Sequence, residues 1–297
     1  MSTTVAAPAI VHTAAMPRSP AQLAVRRFLH RPVAVAGLVV IVLFIGVAAF
    51  APLIAPYDPV ATSWTAIRKA PSLAHWMGTD ENGRDVLTRV IFGARASLLA
   101  GVVAVLIAAG IGVPAGLLAG FAEGWIDVVL SRIVDAMLAC PFLILAIALA
   151  AFLGPDLTNA MIAIGVSTAP RFMRVSRAAT LDASSNDYVE AARAIGNPGW
   201  RVAVRHVLPN IVPPIMVQGT LAIAAAIIAE ASLSFLGLGV TEPTPAWGLM
   251  LSGTSADFYQ TAPWMIIFPG VAITLAVFAF NLFGDSLRDY LDPRFKT

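Results

Sequence analysis

Glu230, in AEASLSFLG, is the one ionisable residue of this sequence that lies well inside an apolar run. A carboxyl there has one evident chemistry, relaying protons across a bilayer, as ionisable groups inside membrane spans commonly do. The competing reading is structural: Glu230 sits towards the outer end of its helix and bonds to neighbouring hydroxyls or backbone. Little else resembles catalytic machinery. The four histidines, His12, His30, His75 and His206, are scattered, with neither an HExxH nor any metal-ligand spacing. The Gly-rich run at 110–120 has no Lys and is not a phosphate-binding loop, and no GxSxG nucleophile elbow occurs. Cys140 stands alone in an apolar run and reads as a small buried hydrophobe.

Two polar stretches remain. Residues 75–98 read HWMGTDENGRDVLTRVIFGARASL, in which Gly78 and Gly83 bracket an acidic turn that includes Thr79 and Asp80 and is followed by Arg84 and Asp85. Asp80 is an N-cap candidate for a helix leading through Val86 and Val90. This stretch is either a capped connection or a surface that meets a partner. Residues 182–210 read DASSNDYVEAARAIGNPGWRVAVRHVLPN. Asn186 or Ser185 can cap a first short helix carrying Asp187 and Glu190, which Gly196 ends; Asn197 and Pro198 can start a second that breaks at Pro209. Ala191 and Ala192 leave room for close approach by another protein, and Glu190 and Arg193 supply charge at the edge. Read from its residues alone, the knuckle is either a docking element or a solvated loop.

The elements that carry these residues are apolar spans. Hydrophobic residues make up 58% of the 297, charged residues 12%, and the mean hydropathy is +0.81, which excludes an ordinary soluble domain. The net charge of +2 could suggest nucleic acid, but no basic run stands on a soluble domain, and the Arg read as topology determinants. Six spans are expected, at 33–54, 97–121, 133–153 with a kink at Pro141, 157–173, 211–238 and 264–283. The short polar segment 123–132 reads as a turn and 242–262 as a polar loop, and Trp264 as an interfacial anchor. A signal peptide competes for the N-terminus, but the first apolar run is too long for one. With the N-terminus inside, Arg68, Lys69, Arg84, Arg89 and Arg95 fall outside, and the other fourteen of the nineteen Lys and Arg fall inside. The expected organisation is a disordered cytoplasmic tail at 1–22, a first transmembrane helix at 23–56 and an external loop at 57–96. A transmembrane core at 97–285 follows, with a cytoplasmic loop at 180–210, and then a cytoplasmic tail at 286–297.

The stretch EAARAIGNPGWRVAVRHVLPN resembles the EAA loop of binding-protein-dependent ABC importer permeases. Glu190, Ala191, Ala192, Gly196, Leu208 and Pro209 match that pattern in register, while His206 stands where the pattern has Ile. GTDENGRDVLTRVIFGARASL, EASLSFLGLG, PAWGLML and FNLFGDSLRDYLDPR resemble the C-type subunit of the dipeptide/oligopeptide/nickel branch. The similarity runs from about residue 25 to the end. It implies an all-α polytopic protein of six transmembrane helices with type I (MetI-like) architecture in a bacterial inner membrane. It also implies a heterodimer with a B-type permease, two cytoplasmic ATPase subunits that use ATP and Mg, and an extracytoplasmic solute-binding protein. No cofactor is expected on this chain, nor any enzymatic activity. The helix with Asp187, Glu190, Ala191 and Ala192 would be the coupling helix, and the external motif of Gly78, Thr79, Asp80, Gly83, Arg84 and Asp85 would lie near the partner permease or the binding protein. Dipeptides and oligopeptides lead as cargo, with nickel chelates, glutathione-like peptides and opines open. A proton-coupled carrier using Glu230 is the alternative from another class.

Overall fold

The computed structural model describes residues 32–122, 124–253 and 258–291. The expected tail at 1–22, the flanking Arg26, Arg27 and Arg31, and residues 292–297 lie outside the described residues. Within them the chain is helical, with one isolated bridge between Thr79 and Asp85 and no strand. The main helices are α1 (Pro32–Ala49), α2 (Val86–Ala122), α3 (Gly124–Ala139), α4 (Phe142–Leu153) and α5 (Leu157–Ser184). They continue with α6 (Asp187–Ala194), α7 (Gly199–Val202), α8 (Leu208–Phe235), α9 (Trp247–Met250) and α10 (Trp264–Leu291).

Among the described residues four helical segments are long and apolar enough to cross a bilayer: Pro32–Ala49, Val86–Ala122, Gly199–Phe235 and Trp264–Leu291. A fifth qualifies if α3 and α4, bent by 92° at Cys140 and Pro141, count as one. The expected kink at Pro141 is thus nearly a right angle, because Pro141 cannot donate to the ladder and starts a new helix instead. The remaining expected span, the fourth in chain order, is the helix α5, which runs past Arg177 to Ser184, but Arg171, Arg174 and Arg177 make it too polar to qualify by composition.

Directions settle how the segments run. Gly112 lies against Ala169 and Phe172, Gly116 against Met173 and Ser176, and Gly120 against Arg177 and Thr180, so α2 and α5 are parallel. The bent pair returns between them: Asp127 meets Arg177, Asp135 meets Arg174, Phe142 lies under Arg171, and the Leu153 carbonyl accepts from Asn159 Nδ2. This antiparallel ladder carries the chain from one end of the bundle to the other, where Gly154 turns at φ 93° and Asp156 caps α5 by accepting from the Thr158 N–H at 2.7 Å. Residues 182–210 and residues 75–89 therefore lie at opposite ends.

The α2–α5 seam is built on small residues. A Cβ at Gly112 or Gly116 would sit 2.4 Å from a backbone oxygen of α5, and Gly165 answers from α5 against Ile107 and the Ala104 carbonyl. Such close backbone approach is how membrane helices gain dispersion energy without a hydrophobic driving force. Gly101 serves likewise against Ile227, whereas Gly110 has no neighbour within 4 Å and is not part of a seam.

Several local expectations are corrected. The segment at 123–132 is helix from Gly124, not a turn: Gly124 (φ 65°) makes the reversal, and Asp127, held by Ser131 and by Nε and Nη2 of Arg177, anchors the first turn of α3. The helix does not break at Pro209. The stretch Ala203–Val207 widens to a π-turn, which takes up the missing Pro209 N–H and clears the carbonyl one turn back, and the helix runs on through α8. The polar loop at 242–262 contains α9, whose Trp247 is fully buried, donates Nε1 to the Val90 carbonyl at 2.9 Å and meets Phe44 edge-on. Trp264, expected as an interfacial anchor, is half-buried, and its Nε1 donates to the Thr79 carbonyl at 3.0 Å.

Candidate functional site

At one end α5 closes into the α6–α7 knuckle. Asn186 occupies the N-cap position but does not cap α6; its Nδ2 donates backwards to the Asp182 and Ala183 carbonyls, sealing the end of α5. Asn197 likewise caps backwards, donating to the Ala192 carbonyl at 3.0 Å, and Pro198 takes the N-cap position of α7. Between them Gly196 stands at φ 82°, a conformation that costs residues with a Cβ about 1–2 kcal/mol. A Cβ there would meet nothing within 4 Å, so the position is constrained by its backbone alone.

The knuckle is tied to the bundle by a small core. Val189, Val202, Val207 and Ile211 are fully buried and Ala183 and Ala192 nearly so, packed with Leu117 and Phe121 from the end of α2. The sequence motif is therefore split by direction. Asp187, Glu190 and Ala191 face outward and Pro209 is exposed, whereas Ala192 faces the core and Leu208 is half-buried beside it. Ala192 thus makes room for the chain's own helices rather than for an incoming surface. Arg193 lies over the Phe121 ring at 5.0 Å. The outward apolar surface comes from residues the motif does not mark: Ile195 is 80% exposed, Trp200 66% and Tyr188 42%. Three large hydrophobic side chains around one glycine turn, each off the buried face of a helix that also has one, are the signal that identifies them.

The other end is organised by charge. Asp80 does not cap α2. Its Oδ1 accepts from the backbone N–H groups of Asn82 and Arg84, and its Oδ2 accepts from Arg84 Nε at 2.6 Å, folding the turn that Gly83 permits at φ 73°. Asp85 is the cap: its Oδ2 accepts from the N–H and the hydroxyl of Thr88, both at 2.8 Å, while Oδ1 meets His75 Nδ1 at 2.9 Å. Thr79 donates its hydroxyl to the Ala66 carbonyl, and Gly78 packs so tightly against Lys69 and Trp264 that a Cβ would overlap both. All six residues of the expected external motif thus form one folded unit. Arg84 also reaches Glu242, 158 positions along the chain, and Arg89, almost fully buried, donates to the Pro59 and Pro243 carbonyls. Burial disfavours the Arg84 cation, but the hydrogen bonds and charges of Glu242 and Asp80 outweigh it and raise its pKa. A cleft of about 670 Å³ opens beside this network.

The sequence motif pointed to the loop but not to Glu242, which comes from the far side of α8. Replacing Arg84 with Ala removes the nearer of the two cations that the buried Asp80 meets and leaves Arg89 Nε at 3.5 Å, so the loss should fall below the roughly 3–5 kcal/mol of a buried pair broken outright. Thermal unfolding of the detergent-purified protein should show a clear drop in midpoint for Arg84→Ala. Arg84→Lys should fall between, because an ammonium keeps the charge but not the fork that bridges two carboxylates.

Glu230 is fully buried near the charged end of α8. Ser234 Oγ donates to its Oε1 at 2.7 Å and in turn accepts from the Val240 N–H at 3.2 Å. The bonded neighbour is a hydroxyl, as the structural reading has it. Among the described residues no group of His, Cys, Asp and Glu could hold a metal ion.

The family described as binding-protein-dependent transport system inner membrane component matches residues 112–297, and the N-terminal transmembrane domain of oligopeptide transport permease C matches residues 19–71. The chain is 44% identical to the dipeptide transport system permease protein DppC of Alkalihalophilus pseudofirmus, over 94% of this chain and 91% of that protein. It is 43% identical to the glutathione transport system permease protein GsiD of Pectobacterium atrosepticum, covering 92% and 90% respectively. The probable D,D-dipeptide permease DdpC of Escherichia coli K12 is also 43% identical, covering 89% and 88%. Among solved structures an inward-facing MetNI methionine ABC transporter aligns at a TM-score of 0.58 and 18% identity, over 69% of this chain and 97% of that one, which establishes the shared fold. The chain therefore belongs to the binding-protein-dependent ABC importer permeases, in the branch of the oligopeptide C-type subunits.

Proposed function

We propose that this permease forms half of the translocation route of an ATP-driven importer for dipeptides, oligopeptides or glutathione-like peptides, and that α6 and α7 are its contact with an ATPase subunit. The observation that carries the docking role is the knuckle's exposed apolar face, Tyr188, Ile195 and Trp200, beside the outward Asp187, Glu190 and Ala191 at one end of the bundle. Apolar anchors of this size rimmed by charge are what a protein partner buries at the centre of an interface. In this reading the knuckle and both termini lie in the cytoplasm, the Arg84 network lies outside, and a B-type permease lies alongside. Two ATPase subunits supply the hydrolysis, with their own ATP and Mg, and an external binding protein delivers the cargo. The naming of relatives as dipeptide and glutathione transport permeases supports peptides as the cargo class.

The test against a proton-coupled carrier is Glu230→Gln, which retains a hydrogen-bonding group of the same size at the bond to Ser234. Uptake by the assembled complex should stay ATP-dependent and vanadate-sensitive in this variant. Abolished uptake with intact assembly, or uptake by the chain alone, would instead assign Glu230 to a carrier.

A further inference from the structure

One face of α5 carries a row of cations that helix packing does not require. Arg171, Arg174 and Arg177 recur every third residue and turn towards the bent α3–α4 pair. The two nearer the knuckle are answered by acids: Asp127 holds Arg177 through both oxygens at 2.5 Å, and Asp135 holds Arg174 at 2.7 Å. Arg171 is the deepest of the three. No carboxylate forms an ion pair with it among the described residues; its guanidinium rests over the Phe142 ring at 5.1 Å, just beyond the bend, and its side chain is exposed.

Depth makes that exposure informative. Arg171 lies level with Gly112, ten residues and about 15 Å inside the end of α2. Side chains on a helix lean towards its N-terminus, here the opposite end of the bundle, so Arg171 leans away from the near water layer rather than snorkelling to it. A guanidinium facing hydrocarbon at such depth costs at least about 2.5–3.5 kcal/mol. The exposed Arg174–Asp135 pair continues the same polar stripe, with side-chain exposures of 59% and 48%. A stripe of this kind fits the wall of a hydrated route, and its innermost cation has no anion of its own among the described residues.

We propose that Arg171 is a binding residue of the translocation route that takes the carboxylate of the transported peptide at the level of the Cys140–Pro141 bend. This rests on the reading of the chain as a peptide permease. A planar guanidinium offers a carboxylate two parallel hydrogen bonds, and with Phe142 behind it the fork is held in place. The cargo class is a small solute with a free carboxylate, and a neutral amide at that end loses the contact.

The single native cysteine, two residues from Phe142 and half-buried, reports on the site. In the full assembly of permeases, ATPases and binding protein, alkylation of Cys140 is followed on this chain's own peptide with and without millimolar dialanine or dialaninamide. Dialanine should slow alkylation in the unmodified protein, dialaninamide should not, and Arg171→Gln should abolish the protection. Uptake should fall about tenfold or more in Arg171→Gln and less in Arg171→Lys. No protection, equal protection by acid and amide, or protection that survives Arg171→Gln would each overturn the proposal, as would unchanged uptake. An Arg171 that only braces the bend, or pairs with an acid of the partner permease or a lipid phosphate, gives no distinction between acid and amide. Absence of ATP-driven uptake in the unmodified assembly would instead count against the permease reading itself.

Discussion

Leucine at position 116 is expected to remove the folded protein from the membrane almost entirely. A Cβ on Gly116 would stand 2.4 Å from the Met173 carbonyl oxygen and 2.7 Å from Ser176 Cβ, so the clash is with backbone and cannot be relieved by rotating a side chain. Overpacking of this kind costs about 3 kcal/mol or more, and the α2–α5 seam is the contact that fixes two spans in parallel. The same leucine at Gly110, which has nothing within 4 Å, should be tolerated. Membrane yield after detergent extraction, read by size exclusion, separates the two: Gly116→Leu should be absent or aggregated and Gly110→Leu monodisperse. Comparable yields would show that the seam does not hold the fold.

That contrast also marks how much the sequence discloses. The glycines of α2 announce close packing, but only the structure distinguishes those against α5 from Gly110, since that depends on which face meets a helix more than fifty residues away. Apolar runs reveal five of the spans by composition, the one around Pro141 as a bent pair. The fourth, α5, is legible as the apolar run at 157–173 but falls short by composition because of Arg171, Arg174 and Arg177; of their partners, Asp127 lies in a stretch that reads locally as a turn and Asp135 at the start of the third span. The turn at Gly196 is legible because it is decided within a few residues. The Arg84–Glu242 pair, the burial of Trp247 and the inward face of Ala192 are not, because each is decided by chain that arrives from elsewhere. The π-turn before Pro209 belongs to the same class: proline signals a disturbance, and tertiary packing of Val207 and Ile211 decides that the helix survives it.

The second large effect is expected at Gly196. Valine there must adopt φ near 82° with a branched Cβ, or else swing α6 relative to α7. Because no neighbour would touch the new side chain, the bundle should fold normally, and the damage should be confined to the angle at which Ile195 and Trp200 are presented. Gly196→Val should therefore reach the membrane at ordinary levels yet lose about five- to thirtyfold of its ATP-driven uptake, the equivalent of the roughly 1–2 kcal/mol backbone penalty. Asparagine, which tolerates positive φ, should lose less. Equal uptake by the Val and Asn variants would mean that the turn geometry does not transmit the ATPase motion.

The claim on which the rest depends is that the knuckle end of the bundle meets the ATPase. It is tested most directly by placing a photo-crosslinking amino acid at position 195, 80% exposed on the knuckle, and separately at position 73, 97% exposed at the opposite end. Illumination of the assembled transporter should join position 195 to an ATPase subunit and position 73 to none. An ATPase adduct from position 73, or its absence from position 195 in a complex that hydrolyses ATP and imports peptide, would contradict the assignment.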